Sequence, residues 1–355
     1  MAFLQAKPLC VFYGNSSHKI GAGHIMRLFA LAQAAKAYFQ ILFIYKTCPD
    51  ALLDKLKEEG FSTRILSSPL AFNELSSFSA SVIFIDDYDL TSDEWHTLEQ
   101  LKLFKVKLDD GLDCSKYFVD LVINPAPNAN LDSYAKRFPS SQFCLGPKYT
   151  YLRKEFSICS FKPLNERKNI LITLGGTDSK SLAYPLSKSL LSRLPGTTIQ
   201  LLLGKQHQDQ LNLEQLQQQY SNFSLIYNPA SVASIMVEAG LAISAAGGTL
   251  GELASMGVPT IALITVDNQT PALESPLNNT WYFAIDLRSA CTSEVKCKRT
   301  FSLLDKVSEE ATNLWHDICK RENMSEQARQ LIDSKGCQRI IQKLLIGLKT
   351  EQEQQ

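Results

Sequence analysis

The 355-residue chain carries no excess charge, its 36 Lys and Arg balancing 36 Asp and Glu. It therefore lacks the general field that draws in nucleic acid or an anionic membrane, and any anionic ligand must be held locally. No apolar run approaches the ~18 residues of a membrane span. Met1-Ala-Phe-Leu-Gln-Ala-Lys7 lacks the charged start, apolar core and cleavage site of a secretory signal. The nine cysteines are odd in number and include no CxxC or other metal-ligand spacing, which fits thiols in a reducing compartment. No repeat of solenoid period is visible. These absences leave a cytoplasmic enzyme or binding protein, expected to be a monomer with a small-molecule ligand, no nucleic acid, no membrane partner and no cofactor.

What is present is an ordinary globular composition, 45% hydrophobic and 20% charged, in a chain too long for one core. Apolar strands alternate with amphipathic helices. Strands are expected at residues 9–13, 40–45, 62–66, 81–85, 104–108, 121–123 and 143–145, with helices after the first and second and a helix-like stretch at 71–78. Cys159 to Lys168 has no clean period and reads as a linker. The same grammar then restarts, with strands from Asn169 and at 198–203, 223–227, 241–244 and 260–264. Ser231 caps an expected helix whose stop signal is Gly240, and Pro185 fits the first turn of another. From about residue 300 the chain looks helical. The expected fold is α/β and GT-B-like: two Rossmann-like, doubly wound domains facing each other across a cleft. Their bounds are 1–158, a linker at 159–168, and 169–345, with 346–355 as a disordered tail.

Four loops follow strands and carry the candidate chemistry, since ligands of such sheets lie beyond the strands' carboxyl ends. The first is Gly21-Ala-Gly-His-Ile-Met-Arg27. Gly21 and Gly23 open a helix start that favours an anion, and His24 either moves protons or caps backbone groups. The third glycine of the dinucleotide fingerprint is missing, so a nicotinamide cofactor is disfavoured. The second is Asp86-Asp87-Tyr88-Asp89, where the carboxylates could orient a histidine, bind Mg2+ or make a solvated turn, and the tyrosine could stack on a sugar or donate a hydrogen bond. Asp109-Asp110 is a similar acidic pair. The third is Gly175-Gly176-Thr177-Asp178, whose amides, with the Thr177 and Ser179 hydroxyls, suit a phosphate; no Walker lysine follows. The fourth is Gly247-Gly248-Thr249-Leu-Gly-Glu252. Its turn amides would hold a diphosphate, and Glu252 would accept from vicinal ribose hydroxyls or merely complement a helix N-terminus.

Read together, these loops resemble the UDP-2,4-diacetamido-2,4,6-trideoxy-β-L-altropyranose hydrolases of pseudaminic acid biosynthesis, whose fold is similar to the GT-B glycosyltransferases. The family's G-x-G-H-x-x-R falls on Gly21, Gly23, His24 and Arg27, and its D-x-Y on Asp86 and Tyr88. Its G-G-T-D falls on Gly175 to Asp178, its G-G-x-x-x-E on Gly247, Gly248 and Glu252, and its N-Q on Asn268 and Gln269. The resemblance covers about residues 10 to 270 and returns at 324–339. Two prolines after Gln269 depart from the regular helix the family leads one to expect.

The resemblance implies hydrolysis of a UDP-activated amino sugar without a metal. His24 would be the base, Tyr88 and Asn268 would help position sugar and water, and Gly247, Gly248 and Thr249 would take the diphosphate. Gly21, Gly23, Arg27, Asp86, Gly176, Thr177, Glu252 and Gln269 complete the expected substrate-binding set. Two alternatives stay open: a GT-B transferase that moves the sugar from UDP to an acceptor, and an inactive UDP-sugar-binding protein.

Overall fold

Strand β1 (Leu9–Gly14) shows how the first half is built. Its alternate side chains enter opposite layers: Cys10 and Phe12 join one apolar cluster, Val11 and Tyr13 another. Strand β4 (Ala80–Asp86) repeats this, with Val82 and Phe84 on one side and Ile83 and Ile85 on the other. A strand buried on both faces is a continuous apolar run, which is why the parallel strands stand out in the sequence. Rings of Phe12, Phe43 and Phe84 stack across neighbouring strands, Phe12 to Phe84 at 4.7 Å.

The structure is a computed structural model and describes residues 7–17, 22–66, 72, 75, 79–111, 117–175, 178, 180–204, 207–290 and 297–354. The helix-like stretch expected at 71–78 falls almost wholly outside the described residues. Between β1 and β4 lie α1 (Gly23–Ala35), β2 (Gln40–Tyr45), α2 (Asp50–Glu58) and β3 (Ser62–Ile65). After β4 come α3 (Ser92–Gln100), β5 (Phe104–Leu108), β6 (Leu121–Asn124), α4 (Leu131–Arg137), β7 (Gln142–Leu145) and the short α5 (Lys154–Ile158). The seven strands form one all-parallel sheet in the order β3-β2-β1-β4-β5-β6-β7.

The second half contains β8 (Asn169–Thr173), α6 (Ala183–Arg193), β9 (Thr198–Leu203), α7 (Gln210–Gln219), β10 (Phe223–Tyr227) and α8 (Val232–Met236). It continues with β11 (Ala239–Ala245), α9 (Thr249–Ser255), β12 (Thr260–Ile264), α10 (Thr270–Glu274), β13 (Tyr282–Asp286), α11 (Cys297–His316) and α12 (Ile318–Leu331). Its parallel sheet runs β10-β9-β8-β11-β12-β13, the 3-2-1-4-5-6 order of a dinucleotide-binding sheet. α13 (Gly336–Gln354) closes the chain. Among the described residues, no helix is long and apolar enough to cross a membrane.

The chain divides into two compact units, Met1–Lys154 with Ser334–Gln355, and Glu155–Asp333. This differs from the domain bounds read from the sequence at three points. Arg167, in the expected linker, is buried in the second unit, its guanidinium donating to the carbonyls of Lys162, Ala239 and Gly257. The C-terminal helix belongs to the first unit, where Cys337, Ile340, Ile341 and Leu344 join the Phe12 cluster. The expected disordered tail instead continues α13 to Gln354, because Leu345 and Leu348 extend its apolar stripe against that cluster. Gly240 is likewise no helix stop. It lies within β11, where a Cβ would come within 3.0 Å of the Arg167 carbonyl and the Trp315 ring. Ser231 does cap α8, accepting from the Ser234 amide at 3.2 Å.

Candidate functional site

In the first unit, β1 delivers the chain to α1, and β4 lies directly beside β1 with Gly14 paired to Asp86. Gly14 allows the close approach this needs, since a Cβ there would meet Leu28 at 2.6 Å and the Asp86 carbonyl at 3.2 Å. The first turn of α1 therefore sits over the end of β4. His24 Nδ1 comes 2.7 Å from Asp86 Oδ1. Arg27, one turn on and on the same helix face, donates Nε to Asp86 Oδ2 at 2.9 Å and Nη2 to Asp86 Oδ1 at 2.7 Å. Its Nη1 donates to both oxygens of Asp110, at 2.9 and 2.7 Å. Tyr88 donates its hydroxyl to Asp110 and meets the His24 ring edge-on, with centroids 4.8 Å apart.

These contacts decide the histidine's tautomer. An ionised carboxylate only accepts, so Nδ1 carries the proton and gives it to Asp86. Arg27 Nη2 lies 3.0 Å from Nδ1, but with Nδ1 protonated it finds no acceptor there and donates to Asp86 Oδ1 at 2.7 Å. Nε2 keeps its lone pair. Asp86 has no exposed surface and His24 is 8% exposed, so the pair exchanges little with bulk water and its orientation is fixed. Among the described residues the His24 side chain donates to or accepts from no backbone group, so it does not act as a cap there.

Around the histidine two carboxylates, Asp86 and Asp110, share the one guanidinium of Arg27. Burial opposes the Arg27 charge, but Asp86 and Asp110 outweigh it and hold the guanidinium's proton more tightly than usual. Burial pushes the Asp110 carboxyl up, and Arg27 overcomes this to hold it below the usual carboxylate range. Burial, then the neighbouring Asp110 charge, push the Tyr88 phenol up, so it keeps its proton. The adjoining acids are otherwise engaged. Asp87 accepts from Tyr13 at 2.7 Å and Asn15 at 2.8 Å. Asp109 accepts from Tyr134 and from both Nη atoms of Arg137.

Two expected substrate-binding residues thus have other work. Asp86 spends both oxygens on His24 and Arg27, and Arg27 spends its guanidinium on two carboxylates. Both support the histidine. Gly23 faces open space among the described residues, while Gly21 lies outside them. Tyr88 is 45% exposed on the rim of the cluster. Asp110, the partner of both Arg27 and Tyr88, is visible in the sequence only as one of two acids after a strand.

The second unit holds a pocket of about 230 Å³ beyond the ends of three adjacent strands, β8, β11 and β12. The loop after β8 contributes Leu174 and Gly175, the latter at φ +83°, a left-handed conformation suited to glycine. Ala245, Gly247 and Thr249 come from β11 and the turn into α9, and Thr265, Val266 and Gln269 from beyond β12. The N-cap of α9 is Gly248, which has no side chain to cover the helix start. Gln269 Oε1 accepts from the Thr265 amide at 2.8 Å and hydroxyl at 3.2 Å, which leaves its NH2 group for the pocket.

Of the other expected residues, Gly248 is exposed beside the pocket, and Glu252 is half-buried in the first turn of α9 without lining it. Asn268 is exposed on the turn before α10 and does not line the pocket either. Gly176 and Thr177 lie outside the described residues. At the helix start after Gly175 the protein's own carboxylate meets two amides, while Thr177 and Ser179, whose hydroxyls are expected to help hold a phosphate, lie outside the described residues. Asp178 folds its carboxylate over that start and accepts from the amides of Leu182 at 3.1 Å and Ala183 at 2.8 Å. His207, which no local pattern marks, donates Nε2–H to the same carboxylate at 3.3 Å. Its Nδ1 accepts the Asp209 amide, which fixes that tautomer. Lys180 also lines the pocket.

Two parallel sheets with helices, each opening at its strand ends onto polar groups, define an α/β protein of the GT-B fold, as expected from the sequence. A glycosyltransferase from Rickettsia africae matches 97% of this chain and 100% of its own with a TM-score of 0.60, at 10% identity, a likeness of fold. The chain is 23% identical over 268 residues to the UDP-2,4-diacetamido-2,4,6-trideoxy-beta-L-altropyranose hydrolase of Campylobacter jejuni, covering 73% of this chain and 92% of that protein. It is 26% identical over 262 residues to an uncharacterized protein of Methanocaldococcus jannaschii. That match takes in 70% of this chain, which spans about half (54%) of the archaeal protein's length. The resemblance to the hydrolase family read from the motifs therefore extends over about 70% of the chain. No family model matches.

Proposed function

We propose that the protein hydrolyses a UDP-activated diacetamido-trideoxy sugar to the free sugar and UDP, a step in making a pseudaminic-type nonulosonic acid. The observation that carries this reading is the buried Asp86–His24 pair, which leaves the His24 Nε2 lone pair as a fixed base. Nε2 takes a proton from water as the water oxygen bonds to the anomeric carbon. The bond from that carbon to the phosphate oxygen breaks, and UDP leaves with the electron pair. Asp86 steadies the imidazolium that forms. Such a positioned base contributes ~10²–10⁴-fold.

In this reading the second unit takes the nucleotide. Gly247, whose own amide donates to the Ala245 carbonyl at 2.9 Å, leaves room for the diphosphate, and the amides of Gly248 and Thr249 meet it as its charge grows when the bond breaks. The Gln269 amide donates to the ligand, and Glu252 accepts from the ribose. Tyr88, beside the histidine, and the exposed Asn268 position sugar and water. The similarity to the Campylobacter jejuni hydrolase over 92% of that protein supports hydrolysis. The whole-chain likeness of fold to a glycosyltransferase favours a second reading, transfer of the sugar to an acceptor hydroxyl. Coupled UDP-release assays on a panel of UDP-amino sugars, with and without acceptors, separate the two. UDP and free sugar in equal amounts without acceptor support hydrolysis, whereas release only with an acceptor overturns it.

A further inference from the structure

The pocket of the second unit has two charged side chains on its wall, Asp178 and Lys180, and they are treated oppositely. The Asp178 carboxylate is buried and spends its charge within the protein, on the amides of Leu182 and Ala183 and on His207 Nε2. The Lys180 ammonium is half-buried and donates to two neutral groups, the carbonyls of Arg288 at 2.8 Å and Ala290 at 3.1 Å. These fix the side chain without cancelling its charge. Asp286, an acid close enough to feel Lys180, is engaged elsewhere. Arg288 Nη2 donates to it at 2.7 Å and Nε at 3.0 and 3.2 Å. An ammonium has three hydrogens, so one remains after the two carbonyls. The same pocket is lined by Thr249 and by Gly247, where a Cβ would meet no described atom within 4 Å beyond its own chain neighbours.

We infer that Lys180 is the cation that meets the phosphoryl oxygens of the ligand in this pocket. The inference rests on the nucleotide reading above and adds a residue that lies outside the recognised motifs. A fixed ammonium offers a charge-assisted hydrogen bond where a phosphate would otherwise rely on neutral amides. It also supplies locally the positive charge that the chain as a whole lacks, with Lys and Arg equal to Asp and Glu. Because the carbonyls beyond β13 hold it in place, little side-chain freedom is lost when the ligand arrives.

Calorimetric titration of the full-length protein with uridine, UMP and UDP tests this. Lys180→Gln keeps a hydrogen-bond donor and removes the charge. It should weaken UDP by about tenfold or more, the size expected for a hydrogen bond to a charged group, and leave uridine within about twofold. Lys180→Arg should recover part of the UDP affinity. Unchanged UDP affinity in Lys180→Gln overturns the inference, as does an equal loss for uridine, which would mark a purely structural residue. Wild-type protein that binds uridine but not UDP overturns it too, and wild-type protein that binds neither overturns the nucleotide reading with it. Should the variant fail to fold, lysine labelling of the wild type followed by mass spectrometry decides: UDP should protect Lys180 where uridine does not, and equal labelling overturns the inference.

Discussion

His24 Nδ1 lies 2.7 Å from Oδ1 of Asp86, a carboxylate with no exposed surface. A histidine held this way works through its other nitrogen, and the carboxylate's part is to fix the tautomer and steady the charged ring. His24→Ala should lower UDP release by ~10²–10⁴-fold while UDP binding stays nearly unchanged. Asp86→Asn should also lower kcat, by a similar factor, because an asparagine NH2 facing Nδ1 stabilises the wrong tautomer. Steady-state assays beside UDP titrations check both. Turnover retained in His24→Ala removes the histidine from the mechanism.

The Tyr88 hydroxyl donates to Asp110, so toward a ligand it presents its oxygen's lone pairs rather than a proton. Tyr88→Phe should therefore cost an acceptor for a sugar O–H or amide N–H. The expected loss in kcat/KM is about 5- to 10-fold, in keeping with ~1 kcal/mol for one neutral hydrogen bond. A substrate analogue lacking that donor should show no difference between Tyr88→Phe and wild type.

Arg27 holds the Asp110 carboxyl below its ordinary 3.8, against the opposing effect of burial. A depressed carboxylate stabilises the folded state once pH exceeds the unfolded value, and that contribution is lost as pH falls through the lower folded value. Wild type should thus exceed Asp110→Asn in stability above about pH 5, and the two should converge as pH falls through the lower folded value. Urea unfolding at a series of pH values checks this, and a gap that widens in acid would reverse the sign.

Much of this architecture is legible in the sequence because buried parallel strands are continuous apolar runs. Residues 40–45, 198–203, 223–227 and 260–264 form strands with the bounds their apolar runs indicate. β13 escapes such a reading because Tyr282-Phe-Ala-Ile-Asp286 offers only a short apolar run among turn residues. The return of α13 to the first unit has no local signature either, since the amphipathic stripe of Ile340, Ile341 and Leu344 does not say which core it faces. The site divides in the same way. His24 and the Gly247 turn stand out as glycine turns after strands. The pairings of Arg27 with Asp110, Asp178 with His207, and Lys180 with two carbonyls join positions 83, 29 and at least 108 residues apart. Only tertiary packing creates them.

The place of α13 has its own consequence for stability. Ile340 has no exposed surface and packs in the core of the first unit. Ile340→Ala should cost about 2–5 kcal/mol there, for lost burial plus the cavity left behind. Trp95 lies in the first unit, and Trp281 and Trp315 in the second. Unfolding followed by Trp95 fluorescence, with the other two replaced by Phe, should shift to lower denaturant. The transition reported by Trp281 should not move. A shift of the Trp281 signal alone would place the helix in the other unit.

Gly247 separates a glycine kept for the fold from one kept for a ligand. Its φ is not positive, and beyond its own chain neighbours no atom of the described residues lies within 4 Å of the position a Cβ would take. Nothing in the packing or the backbone therefore requires glycine there, yet the residue lines the pocket. Gly247→Val should change stability by no more than about 0.5–1 kcal/mol, the usual range for an exposed site with a modest β-branched penalty in a turn. The added methyl groups would fill the space a phosphate needs, so UDP affinity should fall by about tenfold or more, each factor of ten being ~1.4 kcal/mol. Thermal unfolding without ligand, set beside UDP titration, makes the comparison. A variant that binds UDP as wild type does would move the diphosphate away from Gly247, and a variant that unfolds without ligand would return the glycine to a structural role.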